Sequence, residues 1–162
     1  MDDMEEKAAR LVEHNFRKAW CDIMREKIAL KDWDMFEVCL TEIVTRLKEM
    51  IPNLAHLHEQ IEREIPVSLI AQMLRNDAVI PKDFLQYFGA IMRWLKELGP
   101  PDMDDTVDDM LTDLGKVSPD SYLSALPETI LAINLHMDVV EHRIDKFKDE
   151  LTSLIANGDD TN

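Results

Sequence analysis

Glycine is scarce in this chain, with 4 glycines among 162 residues, and these are too far apart to form a phosphate-binding loop. There are only two cysteines, Cys21 and Cys39, both within helical patterns, which favours a reducing compartment over a disulfide framework. Runs of alternating β-branched residues, which are typical of strands, are also missing. No apolar run is long enough to span a bilayer. These absences exclude a membrane-inserted protein and argue against sheet.

Basic residues are also few, since 18 Lys and Arg stand against 33 Asp and Glu, giving a formal net charge of -15. Residues 1–81 carry 11 basic and 16 acidic groups (-5), whereas residues 82–162 carry 7 and 17 (-10). Such a surface repels phosphate backbones and anionic lipid, so we expect neither nucleic acid nor membrane as a partner. A protein partner with a basic surface fits better. The acidic opening, Asp2-Asp3-Met4-Glu5-Glu6, is not typical of a secretory signal, and we expect a cytoplasmic protein.

Apolar residues recur with helical period through most of the chain. The pattern predicts an all-α fold of about seven helices in one bundle-like domain over residues 1–156, followed by a disordered tail over residues 157–162. The central element is an apolar helix near 81–98. Pro81 suits its first turn, and Gly99 with two following prolines should end it.

Three small details of this pattern give further expectations. Gly89, inside the central apolar helix, predicts close approach of a neighbouring helix. Ser118-Pro119 predicts a new helix start, because Ser is a good cap and Pro suits the first turn. Pro127 should then kink or restart that helix.

No metal, cofactor or catalytic residue is predicted. A calcium loop counted from Asp102 would need Gly where Val107 stands and Glu where Asp113 stands. The five histidines lack zinc-ligand spacing with a third or fourth partner, and neither cysteine lies in a local catalytic signature. We therefore expect a protein that is not an enzyme.

The candidate partner-binding residues are acidic or aromatic. The segment after the central helix keeps apolar positions at helical spacing and has an acidic outer face, which suits a basic partner. Trp94 faces partly away from the apolar stripe of the central helix, so we expect it to be an exposed anchor. The full set is Asp104, Asp105, Asp108, Asp109, Tyr87 and Trp94.

Several segments share their order and residue pattern with one known family: His14-Asn15-Phe16-Arg17-Lys18-Ala19-Trp20, Leu57-His58-Glu59-Gln60-Ile61-Glu62-Arg63-Glu64-Ile65, Ser68-Leu69-Ile70-Ala71-Gln72-Met73, Ala78-Val79-Ile80-Pro81, the helix from Phe88 to Trp94, Pro100-Pro101-Asp102 and Leu131-Ala132-Ile133-Asn134-Leu135-His136-Met137-Asp138. Over residues 14–150 the chain resembles the N-terminal helical region of the T-complex protein 11 (Tcp11) family. The resemblance implies an all-helical protein without established catalytic residues, associated with cAMP-dependent kinase signalling. It carries no binding residues over to this chain.

These observations predict a non-enzymatic protein–protein interaction or regulatory module in signalling. One alternative is a Bcl-2-like groove-binder that captures an amphipathic partner helix, and a large apolar groove beside the central helix would favour it. Another is an enzyme acting on a small molecule or with a metal, which a buried pocket with converging charged side chains would favour. The oligomeric state is left open.

Overall fold

The computed structural model describes residues 2–159, and within them every regular element is helical. The all-α prediction is confirmed for this range. In chain order the elements are α1 (Asp3–Ala29), α2 (Asp34–Glu49), α3 (Ala55–Glu64), α4 (Val67–Arg75), α5 (Pro81–Leu98), a 3-10 turn (Pro101–Met103), α6 (Asp104–Gly115) and α7 (Tyr122–Asp159).

Helix α5 has the bounds that its sequence predicts. Pro81 occupies the first turn, where a missing N–H costs nothing, and the Asp83 carboxylate accepts a hydrogen bond from the Ile80 N–H at 3.1 Å. Helix α5 packs against α2, α6 and α7. It gives the core a larger set of buried side chains than any of the shorter helices: Phe84, Phe88, Ala90, Ile91, Met92, Trp94 and Leu95.

Gly89 does not have the role that the sequence predicts, whereas Gly99 ends α5 as predicted. A Cβ added at Gly89 would have none of the described atoms within 4 Å, so the expected close approach of a neighbouring helix there is wrong. Gly99 ends the helix with φ -88° and not in the left-handed region. Space requires glycine at that position, because a Cβ would lie 2.8 Å from the Leu95 carbonyl oxygen.

Helix α7 packs against both α1 and α2. Arg25, late in α1, donates a hydrogen bond to Glu128, early in α7, so these two helices are antiparallel. Arg46, late in α2, donates from Nε and Nη2 to both carboxylate oxygens of Glu141 at 2.8 and 2.9 Å, so α2 runs parallel to α7. The same guanidinium also donates to Asn134 at 3.1 Å.

The predicted helix starts at Ser118 and Pro127 are replaced by a single start at Tyr122. Residues 118–121 form turns, and Pro127 lies inside α7, where it is buried. The proline falls less than two turns into the helix, so only one early backbone hydrogen bond is given up and packing of the ring offsets that loss.

The end of α7 also differs from the prediction. The sequence predicts a disordered tail from residue 157, but residues 157–159 are helical. Adding a residue to an existing helix costs much less than nucleating one, so a polar end can continue a long helix. The remainder of the predicted tail, residues 160–162, lies outside the described part of the chain.

Helices α1 and α7 both extend beyond the packed core. No residue from 2 to 16 and none from 145 to 158 is buried or half-buried. We call residues 3–16 the α1 arm and residues 145–158 the α7 arm. Because the helices are antiparallel, the two arms lie at the same end of the bundle, and each is about 20 Å long at ~1.5 Å per residue.

Candidate functional site: two exposed helical arms

Trp94 is not the exposed anchor that its position on the helix suggests. Its side chain is buried, and the indole Nε1 donates a hydrogen bond to Glu64 of α3 at 2.5 Å. Glu64, at the end of α3, therefore lies against the side of α5 that is off the apolar stripe. Burial with a satisfied N–H is usual for a core tryptophan, so Trp94 is removed from the candidate partner-binding residues.

Tyr87 is half-buried and packs against the core. Its hydroxyl lies 4.0 Å from the Met73 sulfur, and its ring lines a small apolar gap between α2, α4 and α5. It therefore has little free surface to offer a partner. The structure does not bring Tyr87 and Trp94 together into an exposed aromatic patch.

The acidic residues of α6 lie on its outer side, opposite the buried Val107 and Leu114. Asp105, Asp108 and Asp109 are exposed, and Asp104 is half-buried. Asp108 accepts a hydrogen bond from Lys96 at 2.9 Å, and this pairing raises the pKa of the Lys96 ammonium group. This side of α6 is an open acidic surface, and the Lys96 side chain of α5 forms an ion pair with it.

Two of the clefts on the surface of the bundle have volumes of about 300 Å³ or more. One, of about 310 Å³, lies between α5, α6 and the start of α7, and its charged lining groups are Asp113 and Glu128. The other, of about 500 Å³, lies between α2 and the α3–α4 corner, where Lys48 and Glu62 form an ion pair with each other. In the described residues, neither lining combines a cysteine or serine nucleophile with a histidine base.

The two cysteines are unreactive in their surroundings. Burial, with a smaller contribution from Glu42, raises the pKa of the Cys39 thiol to about 11. Burial also raises the pKa of Cys21, and the nearby Glu128 adds to that effect. Both side chains are therefore neutral thiols near pH 7, and the thiolate is the nucleophilic form.

Helix α1 has two apolar sides. Cys21, Met24 and Ile28 face the core, whereas a second set lies on the opposite side, because an α-helix turns about 100° per residue. Phe16 in this second set is 73% exposed and Leu11 is 60% exposed. We call the set the α1 stripe, and it comprises Met4, Ala8, Leu11, Val12, Phe16, Ala19 and Ile23.

Helix α7 has one apolar side with an unbroken heptad spacing, in which steps of four and three residues alternate. The positions are Leu126, Ile130, Ile133, Met137, Val140, Ile144, Phe147, Leu151 and Leu154. The first five are buried in the bundle, and Ile144 is half-buried. On the α7 arm the same side is open to solvent, with Phe147 65% and Leu154 68% exposed. We call its exposed part, with Ile155 included, the α7 stripe.

The helical period of the apolar residues does not by itself predict that these positions are exposed. On α7 the available signal was the alternation of four- and three-residue steps, because this heptad spacing is typical of a helix that packs against another helix along its whole length. On α1, plotting the apolar positions around the helix separates them into two opposite sides. These two stripes, with the acidic face of α6, are the candidate functional surfaces.

Comparison of the chain with protein-family models, with curated proteins and with solved structures finds no match. Among residues 2–159, no group of three or more His, Cys, Asp or Glu side chains is placed to hold a metal ion. No helix in the same range is long and apolar enough to cross a membrane.

Proposed function

We propose that this protein is a non-enzymatic protein-interaction module that works through the α1 stripe and the α7 stripe. The observation that carries the proposal is the continuity of the exposed apolar side chains. Single apolar residues are common on protein surfaces, whereas contiguous apolar surface marks interaction sites. The partner surface is an amphipathic helix, because the heptad spacing of α7 is the spacing that packs one helix against another.

The resemblance to Tcp11 proteins supports a place for this module in cAMP-dependent kinase-type signalling in the cytoplasm. The acidic face of α6 adds a second contact for a partner with a basic surface. It carries Asp104, Asp105 and Asp109 around the Lys96–Asp108 pair. Charge pairs of this kind chiefly set the rate of association and its salt dependence, whereas apolar burial sets the lifetime of the complex.

The Bcl-2-like alternative has less support. The cleft beside α5 has a volume of about 310 Å³, which is at the lower end of the range for small-molecule sites. An amphipathic helix places anchors over two turns or more, at i, i+3, i+4 and i+7, and needs a longer groove. The exposed stripes offer that length.

The test is affinity capture from a cell extract at low and moderate salt with four forms of the protein. The stripe variant carries Leu151→Glu and Leu154→Glu. Its matched control carries Thr152→Glu and Ser153→Glu, which add the same charge to the same arm on its polar side. The acidic-face variant changes four aspartates to asparagine: Asp104, Asp105, Asp108 and Asp109.

We expect the stripe variant to lose the captured partner and the matched control to retain it. The acidic-face variant should retain the partner at moderate salt and bind it less strongly at low salt, where charge attraction is least screened. A partner that the stripe variant retains in full would contradict the proposal. Circular dichroism on all four forms confirms that the comparison is made between folded proteins.

A further inference from the structure

The cleft between α5, α6 and the start of α7 has a mostly apolar lining. Met92 and Leu114 in this lining are buried, whereas Met110, Val117 and Ala125 are half-buried and keep part of their surface open. The volume of about 310 Å³ is small for an independent ligand, but it is enough for one long side chain of a partner.

The two carboxylates that line the cleft differ in how far they are neutralised. Glu128 accepts a hydrogen bond from Arg25 of α1 on Oε1. The Asp113 carboxylate has no ion pair or side-chain hydrogen bond within residues 2–159, and Lys116, which follows it at the end of α6, forms no ion pair there either. The cleft therefore carries a negative charge at Asp113 that no described cation neutralises.

The apolar lining and the unpaired carboxylate together select the chemistry of an occupant. Asp113 would repel an anion, and a neutral apolar group would take water away from the carboxylate without replacing it. A lysine or arginine side chain meets both requirements. Its aliphatic stem packs on apolar surface, and its charged end pairs with a carboxylate.

Two further aspartates extend the acidic edge of the cleft along α6. Asp105, Asp109 and Asp113 are four residues apart, so they form a row along one side of the helix with a step of about 6 Å. In the described structure Lys96 pairs with Asp108, and neither Asp105 nor Asp109 forms an ion pair. Alternate side chains of an extended segment lie on one side at a spacing of roughly 6.5 Å, which matches this step.

Resting on the proposed function and its acidic contact at α6, we propose that the partner's basic surface is an extended segment in which every second residue is basic. One lysine or arginine side chain enters the cleft and pairs with Asp113, and the next two pair with Asp109 and Asp105. The segment is extended because a helix is about 10–12 Å across with its side chains and approaches a cleft of this size less closely.

Fluorescence anisotropy with the purified full chain and a short labelled peptide in which arginine alternates with alanine tests this proposal. We expect saturable binding that weakens as salt is added. Asp113→Asn should weaken binding at least ~10-fold, because a charge-assisted hydrogen bond is lost. Ala132→Leu should weaken it similarly without changing the charge, because Ala132 lines the cleft at an exposed position of α7. The matched control Asp149→Asn, which removes the same charge from the α7 arm, should bind like wild type.

A peptide that fails to bind wild type, or that binds Asp113→Asn as well as Asp149→Asn, overturns the proposal. Full binding by Ala132→Leu also overturns it, because the peptide would then lie outside the cleft. A peptide with arginine at every fourth position, the spacing of a helix, should bind more weakly, and tighter binding would contradict the extended form. Circular dichroism confirms that the variants are folded.

The capture experiment separates failure of this proposal from failure of the proposed function. The α1 stripe and the α7 stripe are unchanged in every form used with the peptide. A negative peptide result therefore leaves a stripe-dependent partner standing. A captured partner that does not depend on the stripe removes the proposed function, whatever the peptide does.

Discussion

At the scale of single residues, His136 is a buried polar group without a hydrogen bond. Its side chain is 6% exposed, and Nε2 has no partner among the described residues. Burial lowers the pKa of the imidazole below its ordinary value of 6.5, because the charged form is poorly solvated in the core. The unfolded chain therefore takes up this proton at a higher pH than the folded protein.

We predict that His136 makes stability fall with acidification. As pH drops below 6.5, the unfolded state is protonated first, and the free energy of unfolding decreases until the pH passes the lowered folded-state pKa. A single titrating group changes the free energy of unfolding by at most about 1.4 kcal/mol per pH unit. Urea unfolding on either side of pH 6.5 should show this slope in wild type and a smaller slope in His136→Leu. If His142→Leu, at an exposed position, reduced the pH slope of the unfolding free energy equally, the slope could not be assigned to His136.

The two glycines of α5 give opposite predictions for the same substitution. Gly89→Ala should raise the free energy of unfolding by up to about 1 kcal/mol, because the helix gains a better helix former and the added Cβ meets no described atom within 4 Å. Gly99→Ala should lower it, because the Cβ would press on the Leu95 carbonyl oxygen. Thermal unfolding of each variant, followed by the helical circular dichroism signal, measures both changes. A loss of stability in Gly89→Ala would show that this side of α5 is occupied.

At the scale of elements, the sequence is most informative where it contains breaks. Pro81 and Gly99 bound α5 as predicted, because Pro81 has no N–H to lose in the first turn and the two prolines after Gly99 cannot continue the helical hydrogen bonds. Pro127 does not break α7, because it removes a single hydrogen bond, to the Leu123 carbonyl, and its buried ring packs in the core. The effect of a proline therefore depends on where the helix begins, which local pattern alone does not determine.

Periodicity gives the apolar side of a helix but not what covers it. Trp94 lies off the apolar stripe of α5, yet it is buried, and its indole N–H donates to Glu64 of α3, 30 residues earlier in the chain. Leu151 lies on the apolar side of α7, yet it is 46% exposed because no described helix reaches it. Both outcomes depend on tertiary packing. The helices could be predicted from the sequence, whereas the candidate site could not.

The α7 arm should be dispensable for folding. A chain that ends at Ile144 loses residues 145–158, which are all exposed, so its free energy of unfolding should stay within about 1 kcal/mol of wild type. A chain that ends at His136 also loses the buried Met137 and Val140, and should be destabilised by several kcal/mol, at roughly 2–5 per large core side chain. Urea unfolding at low protein concentration compares the two. Equal destabilisation by both truncations would show that the arm packs within its own chain.

At the scale of the whole molecule, the fold places a purely acidic surface and the longest exposed apolar surfaces on different elements. Acidic residues collect on α6 and on the 3-10 turn before it, where Lys96 pairs with Asp108 and Arg143 pairs with Asp102. The arms carry charges of both signs, with a net charge of -2 over residues 3–16 and -1 over residues 145–158, and they carry the long exposed apolar stripes. One chain thus presents two chemically different surfaces, one suited to fast, salt-dependent encounter and the other to long-lived contact.

The pairing of α1 with α7 has a consequence for the order in which the chain can fold. Arg25 and Glu128, which join the two helices, are 103 residues apart in sequence. During synthesis α1 is made well before α7, and much of the cover for Cys21, Met24 and Ile28 comes from α7. Until α7 has been made, both apolar sides of α1 therefore remain open to solvent.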